Sequence, residues 1–163
     1  MPASGNTFRK EWIRQHDASL APDSYRERII SWDTASKPGE GNDYSAGTVW
    51  GVTADNTYHL LDILHGQWKF PELKRRVMEA ADRYNASVTL IEDADHGRAL
   101  LQDLQASQPK NYVAIKPTLS KEQRAEQATA AFDAGKVYFM PEHPALTALT
   151  REFLGFPNAR HDD

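Results

Sequence analysis

A change of hydrophobic period near residue 67 constrains this chain more than any other feature. Before it, three runs, "RIISW", "YSAGTVWGVT" and "TYHLLDIL", are alternating or β-branched, and the turn-rich stretches "TASKPGEGND" and "ADN" separate them. Period two suits strands, and these connections are shorter than the crossover that parallel neighbours need, so the three runs are expected to form an antiparallel meander. After the change, "FPELKRRVMEAADRYN" sets Leu73, Val77, Ala80, Ala81 and Tyr84 at helical spacing, with Pro71 near the start. Strands and helices then alternate. "SVTLIE" reads as a buried strand and "DHGRALLQDLQAS" as a helix with Leu100, Leu101 and Leu104 inward. "YVAIKP" is a strand, and "SKEQRAEQATAAFDAG" a helix with Ser120 as N-cap and Gly135 as its stop. "KVYFM" and "PALTALTREFLGF" close the series as strand and helix. The order predicts an α/β fold: one mixed sheet, a three-strand antiparallel meander continued by parallel strands, with helices on both faces.

At 163 residues the chain suits one domain that buries a core without staples. Residues 1–26, polar apart from "FRKEWIRQH", read as a leader or linker remnant or a short helix, and 27–163 as the folded domain. There is no cysteine, so disulfides and thiolate metal sites are excluded and any metal must be held by carboxylate, imidazole or backbone oxygen. The carboxylates among these donors favour hard ions, Mg2+ or Mn2+. The net charge of −4 argues against a basic nucleic-acid module, although clustered acids would lower the total in a nuclease. No apolar run is long enough to span a membrane, and the first residues lack a signal-peptide core, which leads us to expect a cytoplasmic protein.

The acids fall at strand ends. Asp33 closes the first strand and Glu92 the fourth, and the topology lays these two strands side by side. In open α/β sheets functional groups collect beyond the carboxyl ends of the strands. Two carboxylates so close are tolerable when cations neutralise them, and two-metal phosphodiester cleavage needs such a cage. Asp162 and Asp163 could return to the same edge and complete it. Each acid also has a plainer reading. Asp33 could serve a turn, Glu92 and Asp93 could cap a helix, and Asp162 and Asp163 could be a frayed end. Asp62 could be a further ligand or, more simply, an exposed residue of a strand. His161 could be a ligand, a phosphate contact or a surface residue. Lys69, Lys74, Arg75 and Arg76 form either a solvated helix face or a contact to the DNA backbone, and Lys121 joins Lys69, Arg75 and Arg76 in the second reading.

The segments "ISWDTASKPGEGNDYSAGTVWGV", "VTLIEDADHGRALLQDL", "IKPTLSKEQRAEQA", "AGKVYFMPE" and "FLGFPNARHDD" together resemble the C-terminal nuclease domain of the large terminase subunit of tailed bacteriophages. The resemblance runs over residues 8–163. It implies an RNase H-like, RuvC-type fold and a metal-dependent endonuclease that cuts concatemeric double-stranded phage DNA during packaging, in the cytoplasm of the bacterial host. It implies Asp33 and Glu92 as catalytic metal ligands, Asp162 and Asp163 as the last acids, and Asp93 and His161 as reserves. It also implies, in a full terminase, an ATPase domain, a small terminase subunit and a portal as partners. No G-x-x-x-x-G-K-[ST] loop occurs in this chain, so that ATPase chemistry is not expected of it. The family continues past "HDD" into a further helix, so the domain is expected to be truncated at its C-terminal end. One Mg2+ or Mn2+ would then be held firmly by Asp33 and Glu92, and a second weakly. Two other readings stay open: a catalytically weak remnant that binds DNA or packaging partners, and another RNase H-like enzyme such as a junction resolvase or an RNase H. "EDADHG" and "SKEQRAEQ" fit the terminase pattern better than the last of these.

Overall fold

The computed structural model describes residues 7–17, 24–34, 44–93, 96–107, 111–116 and 118–140. They form a seven-stranded sheet: β1 (Arg14–Gln15), β2 (Glu27–Asp33), β3 (Ser45–Val52), β4 (Tyr58–Gly66), β5 (Val88–Glu92), β6 (Tyr112–Ile115) and β7 (Val137–Phe139). Three helices are α1 (Phe70–Arg83), α2 (His96–Ser107) and α3 (Lys121–Asp133). The strand order is β1-β7-β4-β3-β2-β5-β6. β3 is antiparallel to both β2 and β4. The pairs β2–β5, β5–β6, β4–β7 and β1–β7 are all parallel. The expected meander is therefore present, and every strand except β3 points its carboxyl end at one edge of the sheet.

Local chemistry sets the boundaries of these elements. Asn56 takes φ +62 in the β3–β4 turn, where the Thr53 N–H donates to the Thr57 carbonyl at 3.0 Å. At the end of α1, Asn85 takes φ +47 and the Ala86 N–H reaches back to the Ala81 carbonyl, a left-handed cap that satisfies the last helical acceptors. Ser120 is the expected N-cap of α3, and the Gln123 side chain returns its hydrogen bond to complete a capping box. Gly135, at φ +73, ends that helix as its sequence position foretold.

The two faces of the sheet are covered differently. Ile30, Trp32, Val49 and Ile91 pack with Leu73, Val77 and Ala80 of α1 and with Leu100, Leu101 and Leu104 of α2. Each of the fully buried aliphatic side chains is worth about 1.5–3 kcal/mol of burial. On the opposite face Leu60, Phe139 and Met140 cluster with Trp50, Ile63, Ile13 and Phe132 of α3. A bulge in β4 divides the strand between these faces. Trp50 pairs with Leu60 but Val49 pairs with Asp62, so Leu61 is the extra residue and Asp62 turns to the α1 side.

The stretch expected as a leader is built into the sheet. After a short 3-10 turn at Lys10–Trp12, β1 pairs with β7. Trp12 is buried, and its ring stacks with that of Phe132 at 6.4 Å. The Arg14 guanidinium donates to the Phe132 carbonyl at 2.9 Å. The aromatic residues of "FRKEWIRQH" supply the apolar area that docks this segment. The expected final helix lies outside the described residues.

Candidate metal centre at the carboxyl edge of the sheet

Asp33 is the last residue of β2 and Glu92 the last of β5. Their strands are parallel, and the register runs from Ile29↔Val88 to Trp32↔Ile91. One further step sets Asp33 beside Glu92, with backbones about 4.8 Å apart, the spacing of neighbouring strands. Side chains alternate along a strand. Trp32 and Ile91 point into the α1/α2 core, so Asp33 and Glu92 share the opposite face. Asp33 is exposed and Glu92 half-buried. Across β2, Asp33 pairs with Ala46, and Ala46 pairs with His65 of β4. The small Ala46 side chain stands between the acid and the imidazole in this row, and the imidazole ring stacks on Tyr44 at 4.5 Å.

The start of α2 is pressed against this pair of strand ends. A Cβ on Gly97 would lie 2.1 Å from the Glu92 carbonyl oxygen and 3.3 Å from the Thr34 hydroxyl. Only a residue without a side chain lets the helix begin so close behind Glu92. Gly97 closes the sequence signal "EDADHG", yet sequence reasoning gave it no role; a glycine at a helix start is a weak signal unless the partner backbone is known.

Asp93 follows a different course from Glu92. Its N–H continues the β5–β6 ladder to the Ile115 carbonyl at 2.7 Å. Its carboxylate accepts from Arg98 Nε at 2.8 Å. Asp62 faces the other side of the sheet, where it accepts the Tyr84 hydroxyl and the Ile63 N–H. Burial first, and then the Asp62 carboxylate, push the Tyr84 phenol up to about 12. His161, Asp162 and Asp163 lie outside the described residues. Among the described residues no group of three or more His, Asp and Glu gathers as a metal site.

Of the expected basic contacts, Lys69 is the N-cap of α1 and sits at the same edge as Asp33 and Glu92, because β4 and β2 run in the same direction. Arg75 and Arg76 lie about 9–10 Å further along the helix axis, on the helix that covers the face opposite to the acids. Arg75 is exposed, while Arg76 pairs with Glu72 at 3.3 Å and lies over the Trp68 ring. Lys74 pairs with Asp103 of α2 at 2.8 Å. Lys121 opens α3, and its side chain lies outside the described part of the structure.

A mixed sheet of this order, with helices on both faces and acids at adjacent carboxyl ends, is an RNase H-like α/β fold. The terminase RNase H-like domain family matches residues 30–163, and this chain belongs to it. Its fold is similar to that of the large terminase nuclease from thermophilic phage G20c. With bound cobalt the TM-score is 0.70 at 17% identity, covering 95% of this chain and 82% of that one. With bound magnesium the values are 0.63, 16%, 94% and 82%. The large terminase of a second thermophilic bacteriophage gives a TM-score of 0.66 at 11% identity over 90% of this chain. The chain spans only 35% of that larger protein. Curated proteins yielded no match. Among the described residues no helix is long and apolar enough to cross a membrane.

Proposed function

We propose that this chain is the endonuclease domain of a phage terminase, hydrolysing phosphodiester bonds of double-stranded DNA with two divalent ions, Mg2+ or Mn2+. The observation that carries the reading is the juxtaposition of Asp33 and Glu92 on one face at the ends of two adjacent parallel strands. Paired carboxylates suit hard oxygen-seeking cations, so the residues fit the group. The G20c nuclease with bound magnesium and cobalt supports the same choice. When bound, such ions activate water and stabilise the leaving oxygen.

The chain's own contribution is positional. The β2–β5 ladder holds the Asp33 and Glu92 backbones at a fixed spacing, and buried Trp32 and Ile91, one residue earlier, anchor both strand ends in the core. Gly97 lets α2 buttress Glu92 from behind. Asp162 and Asp163 are proposed as the remaining ligands, with Asp93 and His161 in reserve. Asp93's pairing with Arg98 supports its secondary place. Lys69, Arg75, Arg76 and Lys121 are proposed to hold DNA phosphates. A bacterial host cytoplasm and a packaging machine with ATPase domain, small terminase subunit and portal complete the proposal.

The test is nicking of supercoiled plasmid by the chain with Mn2+ or Mg2+, with and without chelator. Metal-dependent nicking that disappears in Asp33→Ala and Glu92→Ala is the expected result. DNA binding without metal-dependent cleavage would replace this reading with that of a binding remnant.

A further inference from the structure

The residue after β1 sets a histidine against a histidine. The His16 ring stacks on the His59 ring of β4, with centroids 4.8 Å apart and planes within 5° of parallel. His59 is 7% exposed and His16 half-buried. The His16 backbone N–H donates to the Phe139 carbonyl at 2.9 Å and so continues the pairing of β1 with β7. Its Nε2 lies 2.8 Å from the Leu60 carbonyl. A carbonyl only accepts, so Nε2 carries a proton, and a second proton on this ring goes to Nδ1. There the Asp17 carbonyl, 3.4 Å away, can accept it.

His59 is enclosed by every element that packs on it. Its Nδ1 lies 3.0 Å from the Tyr25 hydroxyl, and Gly51, its pair across the β3–β4 ladder, leaves the space that the Tyr25 ring fills. Tyr138 of β7 meets the ring edge-on at 5.2 Å. From the β3–β4 turn, the Thr57 hydroxyl lies 3.5 Å from Nε2, and Asp55 supplies a negative charge. Burial pushes the Tyr25 phenol up, so it keeps its proton and offers no charge to an imidazolium. Burial first, and then the His16 ring, hold the His59 imidazole below its usual range, and Asp55 offsets part of this. Ring nitrogens bond in the plane of the ring, so parallel rings give each other no acceptor. Two imidazolium charges in this stack would repel.

We propose that the stacked pair is an acid-sensitive latch: as His16 and His59 take up protons, the rings part and β1 unpairs from β7. Opening relieves the burial of His59 and separates the charges. The open state therefore binds more protons than the closed one, and acid favours it. The gain is at most about tenfold per pH unit for each ring that takes its proton only when open, beginning near the ordinary histidine value of about 6.5. Opening uncovers the edge of β7, whose backbone groups can then pair with another strand. The stack of Trp12 on Phe132 does not titrate and keeps the segment near that edge. In the strand order the latch is separated from β2 and β5 by β3, so it does not depend on the nuclease reading.

The test is amide hydrogen exchange of the 163-residue chain, followed by NMR in chelator and corrected for the intrinsic effect of pH. The window runs from about pH 7.5 to about pH 5.5, on either side of the ordinary histidine value. The reporter is the His16 amide. The control is the Thr89 amide, which donates to the Asn111 carbonyl at 2.8 Å beside the core. Protection of His16 is expected to fall about tenfold across the window, while that of Thr89 holds. His59→Phe keeps a stacked ring and removes the buried titrating one, and is expected to flatten the profile. His16→Phe leaves His59 buried but without a charged neighbour, and is expected to make the profile shallower. A flat profile in the parent, or loss at Thr89 in step with His16, would overturn the proposal. So would the parent's full steepness in either variant. If His59→Phe unpairs β1 at every pH, the slope of His16→Phe decides alone.

Discussion

The two faces of β2 and β5 differ although they are made by the same strands. On one face Ile30, Trp32 and Ile91 are at most 2% exposed, beneath α1 and α2. On the other, Ser31, Leu90 and Glu92 are half-buried and Asp33 is exposed. A strand that is anchored on one side can hold charged groups in register on the other. Stability and the proposed chemistry are thus separable by single steps along the chain, and substitutions should divide accordingly.

The largest effect is expected at the acids. Asp33→Ala or Glu92→Ala should cut metal-dependent plasmid nicking by more than about 100-fold, the upper end of what losing an outer partner of a metal ligand costs. The thermal midpoint without metal should stay the same or rise, because one of two like charges is gone. Wild-type nicking by either variant would remove that residue from the site.

The opposite face should respond in the opposite way. Leu100→Ala should lower the free energy of urea unfolding by about 2–5 kcal/mol, while the folded fraction still nicks DNA. A normal unfolding midpoint would mean that the α2 core does not anchor the strand ends.

Gly97→Ala joins the two behaviours. The added methyl would meet a backbone oxygen that cannot turn aside, so about 1–3 kcal/mol of overpacking is expected. Nicking should fall further than stability does, because Glu92 must move. Equal rates for this variant and the parent at matched folded fraction would show that α2 does not position Glu92.

Tyr84→Phe tests the covered side at smaller scale, with a loss of about 1 kcal/mol for the bond to Asp62. Its pH dependence has a definite sign. Tyr84 titrates higher in the folded protein, about 12, than its ordinary 10, so the folded state holds the proton more tightly. Its contribution is full below pH 10 and is lost as pH rises toward 12. Unfolding curves across that window should slope less steeply for the variant, and identical slopes would refute the assignment.

Arg75→Ala should give the smallest change: a weaker DNA affinity in a filter-binding titration and a salt slope lower by about one counterion. An unchanged slope would exclude Arg75 from the DNA contact.

Much of the scaffold was legible because its signals are local. Ser120 caps the start of α3 and Gly135 ends it at φ +73, each read correctly from a few neighbouring residues. Leu73, Val77, Ala80 and Ala81 repeat at the helical period and are buried. The positions of Asp33 and Glu92 at strand ends were equally legible, since each follows directly on an apolar strand.

What the sequence by itself determined was the order of elements, their caps and the strand-end location of the acids, since these depend on backbone preference and side-chain period within a few residues. Only the tertiary structure decided the rest. A bulge turned Asp62 away from the acids and toward Tyr84. The aromatic residues before β2 docked near α3 and added β1 to the sheet. Gly97 acquired its role from the carbonyl oxygen of Glu92, and His16 its ring partner from a strand that begins well after it in the chain. Each of these depends on which distant surface arrives beside a residue, and that is settled by the packing of whole elements rather than by the residue's own neighbours in the chain.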